Sequence, residues 1–560
     1  MSHQTIIECV PNFSDGKNPE VIRQITDVIE AIEGVKLLDV DPGKATNRTV
    51  VTFVGHPEVV IEAAFLAIQK ASEVIDMRHH QGEHPRMGAT DVCPLIPISG
   101  ITMEETAQYA HQLAKRVGTE LNIPIFMYES AATSPERKNL ATVRSGEYEG
   151  FAKKIKLPEW KPDYGPAELH VKAGVTAIGA RDFLIAYNVN LNTTSVRRAN
   201  SIAFDVREAG RVQREGNPVT GNIMRDANGE ALRIPGKCKS VKAIGWYIEE
   251  YGITQISMNL TDIKQTPLHE AFEACRESAS RRGMRVTGSE MVGLVPLQVM
   301  LDAGKYYLEK QQRSIGIPER EIIKIAIKSL GLDELTPFDP DHKIIEYLLA
   351  DSASQRLIKL DLQSFADETA SESVAPGGGS VAAYVGALGV SLGTMVANLS
   401  AHKRGWDDRW DHFSAWAEKG EKIKQRLMHL VDADTDAFNK IIEAFRLPKS
   451  TDEEKAIRGA HIQEATKGAI EVPMEVLRTT VQSFELLEAM ANEGNPASKS
   501  DAAVGALCAR AAAHGAYLNV KINLEELKDE DYQTQIVAEA DQLKDQADLL
   551  ERKVVEIVGL

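Results

Sequence analysis

The sequence predicts an α/β plus all-α chain, with two ferredoxin-like βαββαβ subdomains followed by a helical bundle domain. Three observations carry this. Apolar runs read β-α-β-β-α-β over residues 6–98, and the same order returns over 183–290. Past residue 357 strand signals give way to long helical periods. A chain of 560 residues also exceeds what one core can serve. The expected organisation is 1–182 and 183–334 for the two subdomains, 335–356 for a linker and 357–560 for the helical domain.

In the first repeat, residues 6–11 are apolar and read as a buried strand. Val21, Ile22, Ile25, Val28, Ile29 and Ile32 then recur at helical spacing. Residues 35–40 and 49–54 read as strands around the turn-rich Asp41-Pro42-Gly43-Lys44. Residues 57–74 form a second helix, with Val60, Ala63, Ala64, Ala67, Ile68 and Ala71 on one face, and 92–98 a closing strand. The second repeat has strands at 183–190, 241–247, 255–260 and near Val286, with helices at 196–209 and 268–282. Its polar stretch 215–239, rich in Gly, Asn and Pro, reads as a long surface loop. Helical pattern follows Val295 until Pro337, Asp339 and Pro340 break it. Helical periods then cover 381–399, 421–445, 453–487, 499–517 and 532–558.

A net charge of −17 argues against nucleic acid as a partner, since phosphate binding needs excess Lys and Arg. Cys9, Cys93, Cys238, Cys275 and Cys508 are scattered without a CxxC pair. That is the usage of a cytoplasmic protein with reduced thiols and no zinc cluster. The start, MSHQTIIECV, lacks the basic and apolar regions of a signal peptide. The uncharged run 381–399 places Gly389 and Gly393 in GxxxG spacing. Tyr384, Ser391, Thr394, Asn398 and three glycines leave it weakly apolar, so a bundle core is expected rather than a membrane span.

Chemistry concentrates first in Gly82-Glu83-His84-Pro85-Arg86-Met87-Gly88, within a run from Ile75 to Asp91 that holds three acids, three histidines and two arginines. His80-Gln81-Gly82-Glu83-His84 matches the H-x-x-E-H zinc pattern, which works only on a helix. Gly82 and Pro85 disfavour a helix there, no third ligand follows, and no metal is expected. His84 reads either as a loop histidine in a satisfied hydrogen bond or as a general acid or base tuned by Glu83 and a neighbouring carboxylate. Arg86 suits an anionic substrate, and the 41–48 turn, opening at the same sheet edge, could supply Asp41 and Arg48.

The second signal is Asp434. It falls within the stripe Ile423, Leu427, Leu430, Val431, Phe438, Ile441 and Phe445, while Asp432 and Asp436 turn towards the other side, where a solvated carboxylate is expected. A carboxylate on a buried face is costly unless paired, and desolvation raises its pKa. Asp434 therefore reads as an acid–base group or as half of an interhelical salt bridge. Third, Gly377-Gly378-Gly379 precedes the uncharged helix and offers backbone N–H groups to an anion or polar ring, or simply a hinge. Asn519 and Asn523, four apart, either present two amides on one face or cross-link helices.

These residues resemble a known family. ECVPNFSDG, LLDVDPG, TNRTVVTFVG and GEHPRMGATDVCP resemble formiminotransferase domains, and APGGGSVAA, LVDADTDAF and AYLNVKINL resemble cyclodeaminase domains. PFDPDHKIIEYLL resembles the join, so the match runs through nearly the whole chain in order. The resemblance implies two steps of histidine breakdown. The formimino group of N-formimino-L-glutamate passes to N5 of tetrahydrofolate, and the product then cyclises to 5,10-methenyltetrahydrofolate with loss of ammonia. It also implies a polyglutamylated folate substrate and a homo-octamer.

Residue by residue, the resemblance selects His84 over His79 and His80 as the transferase histidine, places Asp41 in its cleft, and gives Asp434 the cyclodeaminase step. It makes Gly165, Pro166, Ala167, Glu168, Leu169, His170, Val171, Lys172, Ala173 and Gly174 a folate-contacting segment, whose middle differs from the animal proteins. The 215–239 stretch is longer than theirs. Two other functions compete: a single-activity folate enzyme whose helical half is a methenyltetrahydrofolate cyclohydrolase-like hydrolase, and a non-catalytic folate-binding scaffold. The presence of both His84 and Asp434 in matching motifs argues against the scaffold.

Overall fold

A computed structural model describes residues 5–44, 46–82, 84–217, 220–349 and 356–559. The chain divides into two compact units, residues 1–303 with 327–350 and residues 304–326 with 351–560.

In the first unit, β1 (Ile6–Cys9) breaks at Pro11 and resumes as β2 (Asn12–Phe13). Next come α1 (Pro19–Glu30), β3 (Val35–Gly43), β4 (Arg48–Gly55), α2 (Pro57–Val74) and β5 (Thr90–Ser99). Asn18 starts α1 by accepting the Glu20 N–H, with Pro19 at the first helical position, where its missing N–H costs nothing. The strands pair antiparallel in the order β3-β4-β1-β5, the expected split-βαβ order. Ile7, Cys9, Phe13, Val51 and Phe53 pack beneath Ile25, Ile29, Val60, Ala64 and Ile68 of the two helices.

Residues 99–182, where no element was read from the sequence, hold α3 (Met103–Glu120), β6 (Ile125–Glu129), α4 (Leu140–Arg144), α5 (Glu147–Lys154) and β7 (Thr176–Ala180). β7 and β6 extend the sheet parallel to β5. Parallel strands buried on both faces show no alternation, and β7, Thr-Ala-Ile-Gly-Ala, carries little strand signal.

The second repeat comprises β8 (Ile185–Leu191), α6 (Val196–Val206), β9 (Arg211–Val212), β10 (Arg233–Ile234), β11 (Val241–Ile248), β12 (Ile253–Leu260), α7 (Leu268–Ser280) and β13 (Val286–Val292). Its sheet runs β11-β12-β8-β13, all antiparallel, so both ferredoxin-like repeats are present. The 215–239 stretch is mostly exposed but not irregular throughout. The β9–β10 ladder and bridges at Arg214–Ile223 and Arg225–Ala231 fold it back on itself, with Pro218 and Val219 outside the described residues.

Four helices follow: α8 (Leu297–Lys310), α9 (Glu319–Leu330), α10 (Pro340–Lys343) and α11 (Ile345–Leu349). The segment read as a linker is ordered through α11. Ile344 is fully buried, Val295 N–H donates to Lys343 O (3.0 Å) and Ile345 N–H to Val295 O (3.1 Å). Residues 350–355 lie outside the described residues. Residues 304–326 pack with the bundle rather than with the α/β half: Ile315 N–H donates to Ser414 Oγ (3.0 Å) and Asn398 Nδ2 to Gly316 O (2.7 Å).

The helical unit is built from α12 (Leu362–Thr369), α13 (Gly378–Ala401), α14 (Trp410–Arg446), α15 (Asp452–Glu493), α16 (Lys499–Leu524) and α17 (Glu530–Val558). By length and composition α13 could cross a membrane. Here it packs against α14, α15 and α16. Small residues permit the close approach, since a Cβ on Gly389 would stand 2.8 Å from Gly505 O of α16. The stripe of α14 holds from Ile423 to Val431 but then changes face. Phe438 and Phe445 are 43% and 47% exposed, while Ala437 and Ala444 are buried, because the last turns have only small residues on their packed side.

Candidate functional site

In the first unit the Gly82–Gly88 loop lies between the β3–β4 turn and the 165–174 segment. His80 Nε2 bonds Asn47 O (2.9 Å), and Asn47 Nδ2 donates to Gln81 O (2.8 Å). On the other side, Gly88 and Gly174 form a bridge, Ala89 N–H donates to Ala173 O (2.8 Å), Val175 N–H to Met87 O (3.0 Å) and Met77 N–H to Lys172 O (2.9 Å). Gly174 has φ +73°, and a Cβ there would stand 2.7 Å from Gly88 Cα, so both positions need glycine for the backbones to meet. Thus the structure brings the segment implied for folate against the histidine loop. Within it, Gly165, Pro166, Ala167, Glu168 and Val171 are exposed, Leu169, His170 and Lys172 half-buried, and Ala173 and Gly174 buried.

His84 itself is half-buried, and Glu83, read as its tuning group, lies outside the described residues. Its Nδ1–H donates to Pro85 O (2.7 Å), which leaves Nε2 as the ring's acceptor. Arg48 Nη1 donates to it at 2.6 Å. Burial, then the Arg48 and Arg144 charges, push the imidazole pKa down to about 3, so the ring is neutral at physiological pH. Arg48 is the first residue of β4, paired with Gly43, and its own pKa falls to about 10, chiefly through burial.

Asp41 is not on a loop: β3 runs to Gly43, and Asp41 pairs with Val50. Its Oδ2 accepts the Gly293 N–H (3.2 Å) beyond β13, placing it where the two repeats meet. Arg86, read as a substrate ligand, is taken up instead. It holds Glu147 and both oxygens of Glu149 at 2.7–2.9 Å, and those pairs raise its pKa. The structure adds two residues that sequence reasoning missed. Fully buried Asp91 takes Met87 N–H (3.0 Å) and Arg144 Nη2 (2.6 Å), and Arg144 ends α4. Asp91 closes the histidine-rich run, but nothing local links it to an arginine 53 residues on.

The helical unit holds a different centre. Asp434 of α14 is half-buried, and its Oδ2 accepts the Ser380 N–H (2.9 Å) in the first turn of α13, with Ser380 Oγ 3.2 Å away. Gly377, at the N-cap, supplies no side chain, so Asp434 caps the helix from its neighbour. Burial raises the Asp434 pKa and the two Ser380 bonds oppose it. Gly379 is required here: a Cβ would stand 2.6 Å from the Asp434 Cγ.

Gly378 faces α16 less tightly, since its Cβ would stand 3.3 Å from Asn519 Nδ2. The structure therefore brings Gly377, Gly378, Gly379, Ser380, Asp434 and Asn519 together. Asn523 is elsewhere, linking α16 to α15 through Ala469 O (2.8 Å). Asp432 is not the solvated carboxylate expected. It accepts the Leu357 N–H (2.8 Å), and burial raises its pKa. The salt-bridge reading of Asp434 finds no cation within ion-pair distance among the described residues. Nor, among them, do three His, Cys, Asp or Glu side chains gather as a metal site would require.

The chain thus carries two separate, half-buried ionisable centres, a histidine among arginines in an α/β unit and an aspartate on a helix N-terminus in a bundle. It belongs to the formiminotransferase-cyclodeaminase family. Family models match residues 6–181 as the formiminotransferase domain, N-terminal subdomain, 186–350 as the formiminotransferase domain, and 361–542 as formiminotransferase-cyclodeaminase. The mouse formimidoyltransferase-cyclodeaminase is 43% identical over 94% of this chain and 93% of its own. Glutamate formimidoyltransferase of Streptococcus pyogenes serotype M1 is 43% identical over 54% of this chain and 93% of its own. Methenyltetrahydrofolate cyclohydrolase of Methylorubrum extorquens is 36% identical over 35% of this chain and 95% of its own.

Proposed function

We infer that this chain is a bifunctional enzyme. It transfers the formimino group of N-formimino-L-glutamate to N5 of tetrahydrofolate, then cyclises 5-formiminotetrahydrofolate to 5,10-methenyltetrahydrofolate with release of ammonia. The observation that carries the reading is the pair of centres, in a chain that a formimidoyltransferase-cyclodeaminase matches over 94% of its length.

In the transfer, N5 attacks the formimino carbon, the N5 proton leaves, and the carbon–nitrogen bond to glutamate breaks. Neutral His84 suits taking that proton on Nε2 and returning it to the departing glutamate nitrogen. Arg48 adjoins it, with Asp41 acting on Arg48, and the 165–174 segment forms the adjoining wall for folate. In the cyclisation, N10 attacks the formimino carbon, gives up its proton, and ammonia departs. Asp434, with its pKa raised, suits moving that proton, while the Gly377–Gly379 turn and Asn519 supply polar walls.

Assays of the separate half-reactions test the reading: purified chain must both consume N-formimino-L-glutamate with tetrahydrofolate and release ammonia from 5-formiminotetrahydrofolate. Hydrolysis of supplied 5,10-methenyltetrahydrofolate to formyltetrahydrofolate, with no ammonia released from 5-formiminotetrahydrofolate, would favour the cyclohydrolase-like alternative for the helical half.

The same reading includes a polyglutamylated folate, a cytoplasmic location and a homo-octamer. Five free cysteines support a reducing compartment. Exposed Leu388 and Leu399 of α13, with Val504 and Leu507 of α16, support a second copy of this chain on that face. Native mass spectrometry reads the assembly size directly, and a monomer would discard the octamer.

A further inference from the structure

One guanidinium bonds His84 and the charge of a second reaches it, and both keep donors unused. Arg48 reaches His84 Nε2 from β4, and among the described residues no carboxylate lies within ion-pair distance of it. Arg144 comes from α4. Its Nη2 binds Asp91, while its Nε–H is buried without an acceptor. Asp91 takes the Met87 N–H and Arg144 Nη2 and makes no hydrogen bond to Arg48, on which it acts only as a more distant charge. Asp41, the remaining acid near Arg48, accepts from the Gly293 backbone. A guanidinium left without a carboxylate is costly, and Arg48, beside the unmatched Nε–H of Arg144, marks a place prepared for an anion.

We propose that Arg48 and Arg144 form the receptor for a carboxylate of the formimino donor, and that this carboxylate draws Arg48 away from His84 Nε2. The proposal rests on the transferase reading and specifies how its anionic substrate is held and sensed. In the free enzyme the Nε2 lone pair is engaged by Arg48. The charges acting on the ring are Arg48 of β4 and Arg144 of α4, while Asp91 of β5 and Asp41 of β3 act on Arg48. When a substrate carboxylate takes the Arg48 donors, Nε2 is released to accept a proton. The added negative charge also makes an imidazolium easier to form. The base is thereby enabled by the substrate whose proton chemistry it serves.

Steady-state kinetics on the full chain test both parts, with tetrahydrofolate as acceptor and either N-formimino-L-glutamate or formamidine as donor. Arg144→Gln is expected to raise KM for the glutamate-bearing donor by about 10- to 100-fold and to erode its preference over formamidine, the loss of charged hydrogen bonds. Arg144→Lys keeps a cation for Asp91 but lacks the free Nε–H, and is expected to fall between. For the wild type, the acid limb of kcat with N-formimino-L-glutamate should lie at higher pH than that of kcat/KM, which reports the free enzyme. In Arg48→Gln the gap between the two limbs should narrow, to what the substrate's charge alone produces. An unchanged donor preference in both folded Arg144 variants would overturn the receptor, and coincident limbs in the wild type would overturn the release of Nε2. Wild-type chain inactive with both donors would instead sink the transferase reading itself.

Discussion

The two centres keep an ionisable group partly out of water by opposite means. Around His84 the neighbours are full charges on long side chains, Arg48 and Arg144, and both they and burial favour the neutral imidazole. Around Asp434 the neighbours are an N–H and a hydroxyl at the start of α13, which favour the carboxylate while burial favours the acid. Charges reach several ångströms and can be satisfied by a bound anion. Backbone dipoles are short-ranged, fixed, and act only on the atom they touch. The α/β centre is thus open to control by a charged substrate, and the helical centre is preset by its fold.

The sharpest way to break the comparison is to remove one group and assay both reactions. His84→Ala is expected to lower transfer to tetrahydrofolate by about 10²–10⁴-fold and leave ammonia release from supplied 5-formiminotetrahydrofolate unchanged. Asp434→Asn should do the reverse. Loss of both activities in either folded variant would mean the centres are not separate. Gly379→Ala comes next. Its methyl group would stand against the Asp434 carboxylate, so ammonia release should fall by about 10- to 100-fold from a displacement costing ~1–3 kcal/mol. Transfer should persist. Unaltered ammonia release would show that the contact is not needed.

How much of this was readable beforehand follows from the range of each signal. Periodicity gave both βαββαβ repeats and the five long bundle helices, because strands half-buried by helices alternate and bundle helices carry stripes. It failed at β6 and β7, which are buried on both faces, and at Phe438 and Phe445, where the stripe outlasts its packing partner. At the sites, local residues were legible: His84 and Arg48 do meet, and Asp434 does reach the glycine turn. Arg86 was misleading because its acceptors, Glu147 and Glu149, lie some 60 residues away and no local pattern announces them. Arg144 was missed for the same reason. Ser380 closes the glycine-rich run 375–380 read from the sequence, but nothing local announces its partner Asp434, 54 residues on.

Stability against pH should separate the centres by sign. The folded pKa of His84, about 3, lies below its unfolded value near 6.5. Its contribution is therefore fully present above pH 6.5 and is lost as pH falls towards 3. At pH 5 the loss is about 2 kcal/mol. Asp434 is raised, so its contribution is present below its unfolded pKa and lost as pH rises through the folded one. Urea melts at pH 5 and pH 7.5 should show His84→Asn flattening the acid-side decline. Melts extended down to pH 3 should show Asp434→Asn gaining relative to wild type as pH rises through the folded carboxyl's pKa. A shared sign for the two variants would remove the contrast.

The smallest effect is expected at Ser380, and it tests whether α13 really presets Asp434. Its N–H bond to Oδ2 survives any side-chain change, but the Oγ at 3.2 Å does not. Ser380→Ala removes one of two interactions that favour the carboxylate, a net contribution of about 1 kcal/mol, so the Asp434 pKa should rise by somewhat less than one unit. If the step needs the carboxylate to accept the N10 proton, the acid limb of ammonia release must move to higher pH by that amount, with the rate at pH 8 nearly unchanged. A uniform fall in rate with no shift of the limb would mean that Ser380 acts through packing, for instance through its 2.8 Å bond to Val431 O. The transferase profile is the internal control, because a change there would place the effect outside the helical centre.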